Sequence, residues 1–205
     1  MKGIQKLSFL ERSLLFAKLS QVAYNNIDDA KKQAKELGFT TIEFYDKDGA
    51  QAYRFMNKTD LVIACRGTQP TEFNDIKADL KALPVLAETM SRVHRGFKAE
   101  VDELWPMIEE DIVRKVNLSK KLWFCGHSLG AALTVISSYM ICKDFPQIAH
   151  LVKNVTVGCP RVGNSTFKDN YNKLVPNSIR IVNDKDLVTR IPKIGYTHIN
   201  EGITL

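Results

Sequence analysis

One stretch constrains this chain more than any other. The apolar run Leu122-Trp123-Phe124-Cys125 passes directly into Gly126-His127-Ser128-Leu129-Gly130. The chain then continues through Ala131-Ala132-Leu133-Thr134-Val135-Ile136 as a long apolar helix to about residue 142. A strand that turns straight into a buried helix commits the chain to layers of helix packed on sheet. A serine at the apex of so tight a turn is strained, so small residues are needed two positions to either side. Strain of this kind lifts the hydroxyl clear of the sheet. It also lets the backbone N–H of Leu129, at the positive end of the following helix, face an oxyanion developing on a bound acyl group. The Gly-x-Ser-x-Gly spacing, with Gly126, His127 and Gly130 around Ser128, reads as a nucleophile elbow. The alternative is a glycine-rich strand-to-helix turn without chemistry.

The remainder of the chain alternates in the same sense. Helical spacing over about 7–24 and 28–37, the second ended by Gly38, precedes strands at 40–46 and 51–57 joined by Asp46-Lys47-Asp48-Gly49. Leu61-Val62-Ile63-Ala64-Cys65 shows no polar alternation, as expected of a strand buried on both faces. A polar-amphipathic segment follows at 72–81, and helices are expected near 95–116 and 164–173. Further strands are expected at 154–159, 178–183 and 196–204. Strand and helix in alternation predict a mostly parallel central sheet with helices on both faces, in a single domain spanning 1–205.

Composition removes several function classes. The net charge of +6 comes from scattered lysines and arginines, with no basic stripe interleaved with aromatics, so nucleic acid is not an expected partner. Weak attraction to an anionic lipid surface is compatible with that charge. No run of 18 apolar residues suggests an integral membrane segment, and the N-terminal stretch lacks a signal-peptide core, so a cytoplasmic location is expected. The four cysteines (Cys65, Cys125, Cys142 and Cys159) show no CxxC spacing and read as buried thiols. The four histidines and four cysteines form no ligand pair at zinc spacing, so neither metal nor cofactor is expected.

Several motifs occur in one order along the chain. They are Ala17 to Tyr24, Val62-Ile63-Ala64-Cys65-Arg66-Gly67-Thr68, Asp75 to Leu80, Val93-His94-Arg95-Gly96-Phe97, the serine elbow, Gly158-Cys159-Pro160-Arg161-Val162-Gly163-Asn164, and Arg180 to Pro192. In that order they resemble the class 3 lipases, over roughly residues 17–200. The resemblance implies an α/β-hydrolase fold and a serine-dependent carboxylic-ester hydrolase, a lipase or esterase acting on acylglycerols or related lipid esters. Ser128 is then the nucleophile and Asp186 the acid of a catalytic triad, preferred to Asp184 by the Asp-x-Val-x-Arg-x-Pro match. Thr68 supplies the second oxyanion N–H beside that of Leu129, and the segment from Gln69 to about Met90 is a lid. Phe73, Ile76 and Leu80 lie on one face of that segment, suited to transient contact with a membrane or lipid-droplet surface.

The base is the open position. In the Ser, Asp, His order of this fold, only His198 follows Asp186. The resemblance places the family's catalytic histidine later still, beyond Leu205, so the domain is expected to lack the family's C-terminal end. The interval after Asp186 is too short for a helical crossover, so an antiparallel last strand starting near Tyr196 would bring His198 close to the site. His94 and His127 read as packing or supporting residues, His150 as a surface residue, and Trp105 and Trp123 as core. A catalytically inactive hydrolase-fold protein that binds a lipid or a protein partner is the competing reading.

Overall fold

Asp48 and Gly49 both take positive φ, 50° and 90°. This is the backbone of a two-residue hairpin loop whose twist matches its flanking strands, and it joins β1 (Thr41–Lys47) to β2 (Ala50–Met56) antiparallel. In the computed structural model β2 pairs antiparallel with β3 (Asp60–Cys65). From there the sheet runs parallel through β4 (Lys121–His127), β5 (Val152–Val157), β6 (Ser178–Val182) and β7 (Gly202–Thr204). The seven strands lie side by side in sequence order. The structure describes residues 3–67, 93–116, 120–183, 186, 188–191 and 195–204.

Two apolar layers clamp this sheet, which is why its central strands do not alternate. Val62 and Ala64 of β3 face α1 (Phe9–Val22) and α2 (Ile27–Glu36), joined there by Trp123, Cys125 and Val155. Leu61, Ile63 and Cys65 face the other way, with Leu122 and Phe124, toward α3 (Arg95–Lys115), α4 (Leu129–Asp144) and α5 (Ser165–Leu174). Helix α4 is buried nearly all round, as its uniformly apolar sequence requires. The α/β-hydrolase architecture with helices on both faces is therefore present.

Local signals set the helix ends. Ser8 and Glu11 form a reciprocal capping box at the start of α1. Asn26 and Asn164 cap α2 and α5 through their side chains. All four cysteines are free and buried, and Trp105 and Trp123 lie in the core. Asp60, buried at the start of β3, accepts from the Ile4 amide at 3.1 Å and from Trp123 Nε1 at 2.8 Å, tying the N-terminus and α1 to the sheet.

The last strand corrects an expectation. Its pairing with β6 is parallel, and it begins at Gly202 rather than near Tyr196. Residues 195–201 instead form the return segment. Thr197 makes a bridge to Gly163, and Ile199 is buried in the core beside α3 and α5. The approach to the site by an antiparallel strand is therefore lost to His198. No helix among the described residues is long and apolar enough to cross a membrane.

Candidate active site

Ser128 sits at φ 56° and ψ −125°, between the end of β4 and the start of α4. This is a sparsely populated conformation for a residue with a β-carbon, and such strain persists only where the surroundings enforce it. The Ser128 amide donates to the Val157 carbonyl at 3.1 Å, anchoring the turn to β5, and its own carbonyl accepts from the Ala131 amide at 3.0 Å. The residue is 2% exposed.

Three glycines explain how the turn closes. A β-carbon on Gly126 would lie 2.5 Å from the carbonyl carbon and oxygen of Gly130. One on Gly130 would strike the Cys65 carbonyl oxygen and lie 2.8 Å from the Gly67 amide nitrogen. One on Gly67 would strike the Tyr24 hydroxyl and lie 2.7 Å from the His127 carbonyl oxygen. The end of β3, the elbow and the first turn of α4 are thus in backbone contact, which brings the Arg66-Gly67 end of β3 against the serine turn. Leu129 is the first residue of α4, where a helix leaves its N–H groups without intrahelical partners. Thr68 and the segment 69–90 read as a lid lie outside the described residues.

Asp186 is held from several directions. Its amide donates to Asn183 at 2.9 Å, and its Oδ1 accepts from the Val188 amide at 2.9 Å. Its carbonyl accepts from the Thr189 hydroxyl at 2.8 Å. Its other carboxylate oxygen, Oδ2, lies over Gly158, the residue that follows β5 with φ 60°. A β-carbon there would fall 2.6 Å from Oδ2 and 3.5 Å from Cδ2 and Nε2 of His127. Burial pushes the His127 imidazole below its ordinary pKa, and the negative charge of Asp186 works against that shift. Asp186 and the elbow therefore approach each other across Gly158. Asp184 lies outside the described residues.

His198 is placed differently. Its Nε2 donates to the Thr189 carbonyl at 2.7 Å, which leaves Nδ1 as the unprotonated nitrogen. Nδ1 is buried without a hydrogen-bond partner among the described residues. No hydrogen bond of the described residues links the ring to Asp186 or Ser128. Burial, followed by the positive charge of Arg180, pushes its pKa down to about 4, and the Thr189 carbonyl opposes this only partly.

The other two histidines behave as packing and surface groups. His94 is buried, stacking on Phe97 with ring centroids 4.3 Å apart, and His150 is exposed. Among the described residues, no group of three or more histidine, cysteine or acidic side chains converges as a metal site. Two contributors escaped the sequence reading as individuals. Gly158 could have been found, because a glycine directly after an apolar strand signals positive φ or close approach. Tyr24, whose hydroxyl lies 3.1 Å from His127 Nδ1, carries no such local signal.

A strained serine between a parallel strand and a buried helix, with an aspartate past a later strand, defines an α/β-hydrolase. The model of the class 3 lipase family matches residues 62–196, and the chain belongs to that family. Two similar curated proteins are a Vibrio cholerae toxin, TseL, 29% identical over 87% of this chain and 34% of its own length, and the chloroplastic phospholipase A(1) DAD1 of Arabidopsis thaliana, 29% identical over 68% and 35%. The chain thus spans about a third of the length of these relatives. Among solved structures, the triacylglyceride lipase of Rhizomucor miehei superposes with a TM-score of 0.80 at 20% identity, covering 97% of this chain and 81% of that one. A triacylglycerol lipase whose catalytic centre is formed by a serine protease triad gives 0.80 at 19% identity, covering 95% and 79%.

Proposed function

We propose that this protein is a serine-dependent carboxylic-ester hydrolase that cleaves acylglycerols or related lipid esters through an acyl-enzyme. The observation that carries this reading is the conformation of Ser128, strained and locked by Gly67, Gly126 and Gly130 at the N-terminus of α4. Ser128 Oγ attacks the acyl carbonyl while a histidine takes its proton. The N–H groups of Leu129 and Thr68 hold the oxyanion, and Asp186 orients the histidine and stabilises its charged form. The ester oxygen leaves with the proton from that histidine, and water then releases the acid by the same steps in reverse roles. Phospholipase A1 and lipase relatives support a lipid ester as substrate. Helix α1 leaves Leu10 and Leu14 exposed beside Lys18, which suits passing contact with a lipid surface.

His198 is the candidate base, and in this role it exchanges the Thr189 carbonyl for the Asp186 carboxylate. A second reading, a hydrolase-fold protein that binds lipid or a partner without turnover, is favoured by one observation: the commitment of His198 Nε2 to Thr189. Hydrolysis of p-nitrophenyl butyrate by the wild type, Ser128→Ala and His198→Ala separates these. Loss in both variants is the expected result. Loss in Ser128→Ala alone moves the base elsewhere. Wild-type turnover at the Ser128→Ala background, with no labelling of Ser128 by an organophosphonate, refutes the hydrolase.

A further inference from the structure

Helix α1 ends beside the elbow, and its last contact is chemical rather than merely apolar. Tyr24 lies just past α1, with its hydroxyl 3.1 Å from His127 Nδ1 and 3.4 Å from the His127 carbonyl oxygen. The two rings meet edge to face with centroids 6.1 Å apart. The same hydroxyl fills the space that a β-carbon on Gly67 would need. On the far side of the imidazole, Nε2 and Asp186 Oδ2 crowd the one space over Gly158 that a β-carbon would need. One phenol therefore touches the end of β3 and an imidazole that lies on the Asp186 side of the elbow.

The Tyr24 hydroxyl has one proton for two acceptors on His127, and the shorter distance directs it to Nδ1. A neutral imidazole that accepts at Nδ1 carries its proton on Nε2. That proton faces the side on which the Asp186 charge lies. Val188 N–H holds Oδ1 of the same carboxylate, which leaves Oδ2 on the side of His127.

We propose that Tyr24 and His127 are positioning residues for the acid: Tyr24 fixes His127 as the Nε2–H tautomer, and that N–H holds Asp186 Oδ2 toward the elbow. The proposal rests on Asp186 being the catalytic acid, as argued above. Burial pushes the Tyr24 phenol up to about 12, so it stays a donor throughout the range in which an esterase is assayed. Since the same hydroxyl packs against Gly67, it also ties the end of β3 to the elbow. The histidine of the Gly-His-Ser-Leu-Gly motif thereby acquires a task distinct from proton transfer.

The test is ¹⁵N spectroscopy of histidine-labelled full-length protein, with His127 assigned by its loss in His127→Gln, alongside kinetics on p-nitrophenyl butyrate. The wild type should show His127 protonated at Nε2, and Tyr24→Phe, which keeps the ring, should abolish that preference. In Tyr24→Phe kcat should fall about three- to tenfold, the worth of one hydrogen bond, with KM little changed. His127→Gln, which retains an N–H near the Nε2 position, should keep most activity, whereas His127→Leu should fall as far as Tyr24→Phe or further. A His127 protonated at Nδ1 overturns the proposal, as does equal activity in the Gln and Leu variants. Asp186→Asn separates the two layers. If it abolishes turnover while Tyr24→Phe and His127→Leu do not lower it, only the positioning role is refuted. If Asp186→Asn keeps wild-type turnover, or the wild type has none, the acid assignment falls and the positioning role with it.

Discussion

Gly158→Ala probes the placement of Asp186 more directly than changing the aspartate itself. The residue has φ 60°, a conformation that costs a residue with a β-carbon about 1–2 kcal/mol. The new carbon would lie 2.6 Å from Asp186 Oδ2. Carbon and oxygen normally rest at about 3.3 Å or more, so the carboxylate must retreat by roughly 0.7 Å. Retreat is resisted, because Oδ1 is bound to the Val188 amide at 2.9 Å and the Asp186 amide to Asn183. Catalytic groups tolerate displacements of about 0.5 Å, and 1 Å costs on the order of a hundredfold. We therefore expect kcat on p-nitrophenyl butyrate to fall about ten- to a hundredfold. KM should stay within about twofold, because the change touches no ground-state contact of the ester. The backbone term alone should lower Tm by roughly 2–8 °C for a chain of this size. A kcat within about threefold of wild type, with Tm lowered as expected, would refute the reasoning. The backbone strain would then be real, and Asp186 would not be the group that sets the rate.

Three further predictions concern stability and reactivity. Arg54, 1% exposed, is ion-paired to Asp111 with Nε 3.0 Å from Oδ2, and Tyr45 donates to the same oxygen. Asp111→Ala leaves that buried charge with only Glu43 at 3.5 Å, so a loss of about 3–5 kcal/mol and a Tm drop of roughly 6–20 °C are expected by calorimetry. The folded pKa of His198 lies near 4, below its ordinary 6.5. The unfolded chain therefore binds more protons between those values, and stability must fall as pH drops from about 6.5 toward 4. Urea unfolding at pH 7.5 and 5 should show this, with a smaller pH dependence in His198→Asn. Burial pushes the thiols of Cys125, Cys142 and Cys159 up to about 12 and that of Cys65 up as well. Ellman's reagent should accordingly react with the native protein only as fast as it unfolds.

Much of the fold was legible because its signals are local. The missing alternation in Leu61 to Cys65 reports two covered faces, and both faces are covered. The Asp48-Gly49 pair demands a positive-φ loop, and the hairpin has one. Residues 196–204 misled for an equally physical reason. They do pair as extended chain, but with two different partners. Thr197 bridges to Gly163, Ile199 turns into the core, and only Gly202 to Thr204 add to β6, in parallel. Sequence pattern reports that a segment is extended and half-buried, and it does not report against which neighbour.

The candidate site divides along the same line. Ser128 was legible because strand, flanking glycines and helix are contiguous, although Gly67 and Val157, which also hold the turn, are distant in sequence. Tyr24 and His127 are 103 residues apart, and nothing local in either marks the contact. Gly67 completes the argument. Its lack of a β-carbon admits the Tyr24 hydroxyl on one side and the first turn of α4 on the other, so one glycine admits both the closure of the elbow and the approach of α1. A substitution at Gly67 should then behave unlike one at Gly126. A side chain at Gly126 obstructs only the α4 turn, whereas one at Gly67 displaces Tyr24 as well and frees His127 to change tautomer. The ¹⁵N signature of His127 should therefore change in Gly67→Ala, and hold in any Gly126→Ala protein that still folds.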